Sequence, residues 1–299
     1  MLKDNNILFI VNPISGIKNN KLLAKKIVQI LNDNDINVNI LYTKYKNHAR
    51  QHVCNMDNAL YQSILILGGD GTINEVLNGI LLREDDYLPT FGFLPGGTGN
   101  SVLHDLNYLE PISALEPILN NRVKYIDVMA LQFSNHLEYS INILGWGLVS
   151  DIAILAEKLR FIGQMRYDFA SLYYILKLKK RDCTLIVDNK IYTDKYIFLL
   201  IQNTIHTGKG MKAAPNALLD DGLIDIVFVN KKATRLQLIK LLAKLSSGSH
   251  IRSEYVQYEQ IRKIKLLPTM DEAVNIDGDV KNQTPVEVTV IPKKLPIYY

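Results

Sequence analysis

The chain has 299 residues, 47% hydrophobic and 21% charged, with a formal net charge of +4. That composition excludes a disordered chain and is long enough for one large or two smaller globular domains. Two cysteines, Cys54 and Cys183, exclude a disulfide framework, and no apolar run approaches the ~20 residues of a membrane-spanning helix.

In chain order the first part alternates as an α/β domain does. Ile7–Val11 reads as a buried strand and is followed by the turn Pro13-Ile14-Ser15-Gly16. Leu22, Leu23, Ile27, Ile30 and Leu31 give a helical stripe. Val38–Tyr42 is a second strand, and a helix begins at His48. Ser63–Leu67 is a third strand entering Gly68-Gly69-Asp70-Gly71-Thr72, and Asn74–Leu82 is a helix. Phe91–Leu94 is a fourth strand, ending in Pro95-Gly96-Gly97-Thr98-Gly99-Asn100. Short strand–helix–strand intervals imply right-handed parallel crossovers in an open sheet, so the two glycine-rich loops should meet at its carboxyl edge.

After Asp127 the pattern becomes β-rich. Strands are expected over Val128–Phe133, Glu138–Asn142, Thr184–Val187, Lys190–Gln202 and Leu223–Val229, with helices from about Val149 to Lys180 and over Arg235–Ser246. Ala273–Ile276 and Val286–Ile291 flank Asp277-Gly278-Asp279. Charge divides the same way. Residues 1–127 hold 11 Lys+Arg against 13 Asp+Glu, leaving 23 of the 34 basic and 17 of the 30 acidic residues to the remainder. The positive excess therefore lies wholly in the second part, where it suits an anionic membrane surface.

The stretch Gly68–Glu75 carries the chemistry. Its glycines let backbone N–H groups approach an anion, and the following helix directs its positive end there. Asp70 inside such a cradle would repel phosphate unless it handles a metal ion or a proton. A second glycine-rich loop one βα unit later makes this a site for phosphoryl chemistry. Asp277-Gly278 between two β-rich runs is also a strong hairpin signal. No metal-ligand spacing of the His-Glu-x-x-His kind and no basic nucleic-acid signature is present, which argues against zinc and nucleic acid.

Together these pieces resemble the diacylglycerol/sphingosine kinase superfamily of lipid kinases. The resemblance runs through Val11-Asn12-Pro13 with Ser15-Gly16, Thr43 ahead of His48-Ala49, Gly68–Glu75, Pro95–Asn100, Asp127, Gly147–Asp151, Pro215–Gly222 and Asp277–Asp279. It implies an α/β nucleotide-binding domain of the NAD kinase/phosphofructokinase kind over 1–127, with about 292–299 returning to it, and a β-sandwich lipid-substrate domain over 128–291. It implies ATP as phosphoryl donor, Mg²⁺ as cofactor, and a lipid acceptor met at a membrane surface by a cytoplasmic, peripheral protein. A homodimer is left open. Diacylglycerol is the default acceptor and a sphingoid base its competitor; an NAD kinase or a nucleotide- or lipid-binding regulator are the alternatives.

Carried over residue by residue, the resemblance implies ATP contacts from Asn12, Thr43, Gly68, Gly69, Asp70, Gly71, Thr72, Ile73, Asn74, Glu75, Gly97, Thr98 and Asn100. Catalytic Mg²⁺ falls to Asp70, with Asp127 contributing through water. A structural Mg²⁺ would be held by Asp221 and the carbonyls of Leu218 and Leu223. The proton acceptor is Asp279 or Asp70. Similar proteins carry Asp-Gly-Glu where this chain has Asp277-Gly278-Asp279, which withdraws the carboxylate by about 1.5 Å. Asp151 falls where an acid would meet a sphingoid ammonium, although an Asp at a helix N-terminus also favours its own macrodipole.

Overall fold

The computed structural model describes residues 6–16, 19–57, 60–208 and 210–299. The chain divides into two units, Met1–Val128 with Lys293–Tyr299, and Met129–Pro292.

In the first unit, β1 (Asn6–Val11), α1 (Asn20–Asn32), β2 (Asn37–Tyr42), α2 (His48–Asn55), β3 (Ser63–Gly68), α3 (Asp70–Leu81), β4 (Thr90–Pro95), α4 (Ser101–Asp105) and α5 (Glu116–Leu119) follow one another. The strands are parallel in the order β4-β3-β1-β2. Strand β3 is buried along its whole length, as both-face coverage requires. Phe9, Val11, Leu65 and Leu67 pack with Ala24, Ile27 and Leu31 of α1 and Ile118 of α5 in one core. Gly79 lets α3 lie close on α2: a Cβ there would stand 2.3 Å from Val53 Cγ2 and 2.7 Å from Arg50 O.

Helix α3 starts at Asp70, four residues ahead of the sequence expectation. Glycine at the N-cap and an acid in the first turn are both good helix starters. Asp70 through Ile73 are therefore first-turn residues rather than loop.

In the second unit, β5 (Val123–Phe133, entering from the first unit) forms a hairpin with β6 (Leu137–Ser140), followed by β7 (Ile143–Gly147), α6 (Leu148–Lys158), α7 (Arg166–Lys177), β8 (Arg181–Val187) and β9 (Lys190–Gln202). The short pair β10 (His206–Thr207) and β11 (Met211–Lys212) precedes β12 (Ile224–Asn230), α8 (Arg235–Lys244), β13 (Val256–Ile261), β14 (Lys263–Pro268), β15 (Ala273–Ile276), β16 (Asp279–Gln283) and β17 (Val286–Tyr298). Strands pair antiparallel along β16-β15-β7-β9-β8-β14-β17, and β12 joins β9 to β13. Alternation divides the faces: Ile224, Ile226 and Phe228 enter the core with Leu144, Trp146, Leu199 and Ile201, while Val227 and Val229 meet the helices. This is the β-sandwich that the resemblance implied, helices covering the outer face of one layer.

Several elements differ from expectation. The long helical stretch is two helices parted at Gly163, whose φ of +65 no helix tolerates. Strands β7, β10, β11, β13, β14 and β16 were not anticipated. Strand β17 runs past Ile291 to Tyr298. The end of β17 pairs Ile297 with Phe91 of β4.

Candidate active site

Three loops leave the carboxyl ends of β1, β3 and β4 and are fastened backbone to backbone. Gly96 N donates to Gly68 O at 3.1 Å. A Cβ on Gly97 would stand 2.3 Å from Gly69 Cα, and one on Gly16 2.7 Å from Gly96 O. The glycines thus serve loop-to-loop contact as well as approach to a ligand. Asn20, fully buried on α1, staples the cluster: its amide nitrogen donates to Asn12 O at 2.9 Å and to Gly96 O at 3.1 Å. Ser15 Oγ adds a bond to Gly96 O at 2.9 Å. Sequence reasoning passed over Asn20, because its partners lie in two other loops and its only local signal was a polar residue at the start of an apolar stripe.

Asn12 Nδ2 donates to Thr72 Oγ1 at 3.0 Å. A hydroxyl whose lone pair is taken by an amide is oriented to donate its own hydrogen. The N-cap of α3 is Gly69, with no side chain to accept from the first turn. Thr72 and Ile73 donate to Gly69 O, and the N-terminal turn of α3 directs the positive end of its helix dipole at this loop, where an anion is favoured. Asn74 is buried behind them, and Thr98 is exposed on the facing loop. Glu75 Oε1 accepts from Asn47 N at 2.8 Å and so holds the loop after Thr43, whose own N–H donates to Val11 O. Asn100 folds back on its loop, accepting from Gly97 N at 3.0 Å and donating to Gly97 O. Glu75 and Asn100 shape the site through the backbone.

A cavity of about 640 Å³ opens beside these loops, lined by Pro13, Asn19, Lys21, Lys25, Thr43 and Lys44 among others. Its volume is that of a nucleotide-sized site. The three lysines are a second feature that sequence reasoning missed, since they stand on α1 and behind β2 rather than in a glycine motif.

Both candidate metal carboxylates of this unit have structural partners. Asp70 Oδ1 accepts from Ser101 N at 2.8 Å and Oδ2 from Ser101 Oγ at 3.2 Å, tying α3 to the start of α4. Asp127 is fully buried and accepts from Lys293 N at 2.7 Å. It fastens the returning end of β17 from a buried position. Among the described residues no group of three or more His, Cys, Asp or Glu is placed to hold a metal.

In the second unit, Asp277-Gly278 is a two-residue hairpin turn between β15 and β16, both residues at positive φ, as a type I′ turn requires. Asp277 is buried; its Oδ1 accepts from Ser140 Oγ at 2.6 Å and Ile143 N at 3.0 Å. Asp279 follows as the first residue of β16, half-exposed. The triplet is thus a hairpin whose first acid is structural and whose last reaches solvent.

Asp151, in the first turn of α6, pairs with Arg181 Nη2 at 2.5 Å. Arg181 is 5% exposed, and its Nε lies 2.6 Å from Glu272 Oε2, while Lys179 Nζ reaches Glu272 Oε1 at 2.7 Å. Two acids and two bases close on themselves.

At the remaining candidate, Asp221 Oδ1 accepts from Leu223 N at 2.9 Å in an Asx turn, and Leu218 is exposed. Four residues after Asp221, Asp225 is buried and receives the Tyr258 hydroxyl; burial pushes its carboxyl up to about 6.

Residues 6–131 match the family described as diacylglycerol kinase catalytic domain, and residues 143–299 match the YegS C-terminal NAD kinase beta sandwich-like domain. A sphingosine kinase 1 of Arabidopsis thaliana is 30% identical over 92% of this chain and 68% of its own length. A diacylglycerol kinase of Bacillus subtilis is 28% identical over 76% of this chain and 74% of its own. The solved structure of a diacylglycerol kinase from Bacillus anthracis superposes with a TM-score of 0.75 at 21% identity, covering 100% of this chain and 98% of that one.

Proposed function

The chain belongs to the diacylglycerol/sphingosine kinase superfamily of lipid kinases, phosphotransferases with an alcohol group as acceptor, and from that premise we propose that it transfers the γ-phosphate of ATP to the free hydroxyl of a diacylglycerol. Its relatives bear both acceptor names, so similarity does not choose between them. The observation that carries the choice is the ion pair between Asp151 and the buried guanidinium of Arg181. A sphingoid base brings an ammonium group and needs an uncompensated carboxylate. Diverting Asp151 to it would weaken the compensation of a buried charge, and removing a partner from a buried pair costs about 3–5 kcal/mol. A diacylglycerol is neutral and makes no such demand.

On the donor side, the N-terminal turn of α3 and the hydroxyls of Thr72 and Thr98 offer positive potential and hydrogen bonds to phosphate oxygens. Lys21, Lys25 and Lys44 supply positive charge along the adjoining cavity. Mg²⁺, when bound, would neutralise charge on the transferring phosphoryl group. Asp70 would hold such an ion, its carboxylate keeping free lone pairs beside the two bonds it accepts from Ser101. The oxygen donors of Asp221, Leu218 and Leu223 suit a hard cation in the second unit, one carboxylate oxygen being held by the turn. Asp279 is the group that takes the acceptor's hydroxyl proton, since Asp70 is anchored to Ser101.

The experiment offers the purified chain labelled ATP and Mg²⁺ with short-chain diacylglycerol, sphingosine and NAD in parallel. Labelled phosphatidic acid is expected. Label in sphingosine alone would overturn the acceptor, and label in NAD alone would overturn the lipid reading.

A further inference from the structure

Helices α7 and α8 bury one side each and leave the other bare. Ile175 of α7 and Leu238 and Leu241 of α8 enter the same core as Val227 and Val229 of β12, so both helices cover one face of that layer. Arg235 Nε donates to Leu176 O at 2.7 Å, joining the start of α8 to the end of α7. A capping box at Thr234 and Gln237 fixes where α8 begins.

On the water side, α7 shows Phe169, Leu172, Tyr173 and Leu176, spaced as one helical stripe. Phe161, 83% exposed, and Met165 extend it upstream, and α8 adds Leu236, 72% exposed, and Ile239. A helix on the surface of a globular protein ordinarily turns polar residues this way. A contiguous apolar patch is instead the mark of an interface.

Charge identifies the occupant. Residues 158–180 contain six Lys+Arg and one acid, Asp168, and residues 231–244 contain five Lys+Arg and no acid. Ten net positive charges lie in two short segments of a chain whose total is +4, so the rest of the molecule is net negative; Lys179 and Lys231 are paired with Glu272 and Asp194, which leaves eight. A second copy of the same face would bring like charges together. An anionic bilayer would not, and aromatic and aliphatic side chains framed by lysines are what settles a helix into the headgroup–acyl boundary.

We propose that the α7–α8 face docks on an anionic phospholipid membrane, with Phe161, Phe169, Leu172 and Leu236 entering the interface. The inference rests on the lipid-kinase reading only for its purpose, since a diacylglycerol with long chains stays in the bilayer and the enzyme must come to it.

The test is flotation of the full chain with vesicles of phosphatidylcholine alone or mixed with phosphatidylglycerol at about 7:3. Binding is expected only to the anionic vesicles and should weaken with salt. Leu172→Ser with Leu236→Ser, and separately Lys177→Glu with Lys240→Glu, should each lower the bound fraction by about 10-fold or more. Both pairs should leave the rate on short-chain diacylglycerol unchanged. The proposal is overturned if the variants float as the parent does, if neutral vesicles bind equally well, or if the parent is a dimer that the substitutions split. Flotation of a parent chain that phosphorylates no diacylglycerol would instead sink the acceptor reading and leave the docking surface standing.

Discussion

The two units build their candidate sites from different materials. In the first unit the loops after β1, β3 and β4 touch through backbone, glycine against glycine, with Asn20 and Ser15 holding them at 2.9–3.1 Å. In the second the polar groups are side chains, the Asp151–Arg181–Glu272–Lys179 network and the Asp277–Ser140 pair. A site made of backbone can read only what every nucleotide shares, its phosphates. A site made of side chains can be respecified by single substitutions. The constant half of a kinase reaction therefore suits the first construction and the variable acceptor the second.

The sharpest break in that contrast is Arg181→Met, which takes from Asp151 its ion-pair partner and leaves Glu272 with Lys179 alone. A loss of about 3–5 kcal/mol of stability is expected in urea unfolding, and Asp151→Asn in the same chain should recover part of it. Next is Gly97→Ala. A Cβ there overlaps Gly69 and forces the loops apart by about an ångström, which is expected to lower kcat/KM by roughly 100-fold with little change in the circular dichroism spectrum. Asp277→Ala removes the acceptor of Ser140 Oγ and Ile143 N and should cost about 1–3 kcal/mol in thermal unfolding.

How far these features were legible from the sequence follows the same division. Strands β1 to β4 and their parallel arrangement were readable, because buried parallel strands are short apolar runs and glycine punctuates their ends. The meeting of Gly68 and Gly96 followed from topology alone. Strands β13 and β14 were not readable: Val256–Ile261 and Lys263–Pro268 each bury only alternate or terminal residues beneath charged ones. Strand β17 hid behind Pro292 and Pro296, where a proline ordinarily argues for a strand's end. The partners of site residues were the least visible. Nothing near Asp151 announces that Arg181, thirty residues on, neutralises it, and nothing near Asp70 points to Ser101.

The mildest expected effect concerns pH. Burial raises the Asp225 carboxyl to about 6 from 3.8. A carboxyl raised in the folded state favours folding while protonated, so this contribution is present below about pH 4 and lost as pH climbs through about 6. Asp225→Asn should flatten that decline. It should add about 1 kcal/mol at pH 7, less than the ~3 kcal/mol ceiling of the shift, because the amide oxygen still accepts from Tyr258. Stability curves from pH 4 to about 8 would check it.

The measurement that bears most directly on the acceptor is the ratio of kcat/KM for short-chain diacylglycerol to that for sphingosine, taken on the same preparation with ATP and Mg²⁺. A ratio of about 100 or more is predicted, since the ammonium finds Asp151 already paired. A ratio below one would mean that the Asp151–Arg181 pair opens for a cationic acceptor, and would contradict the account.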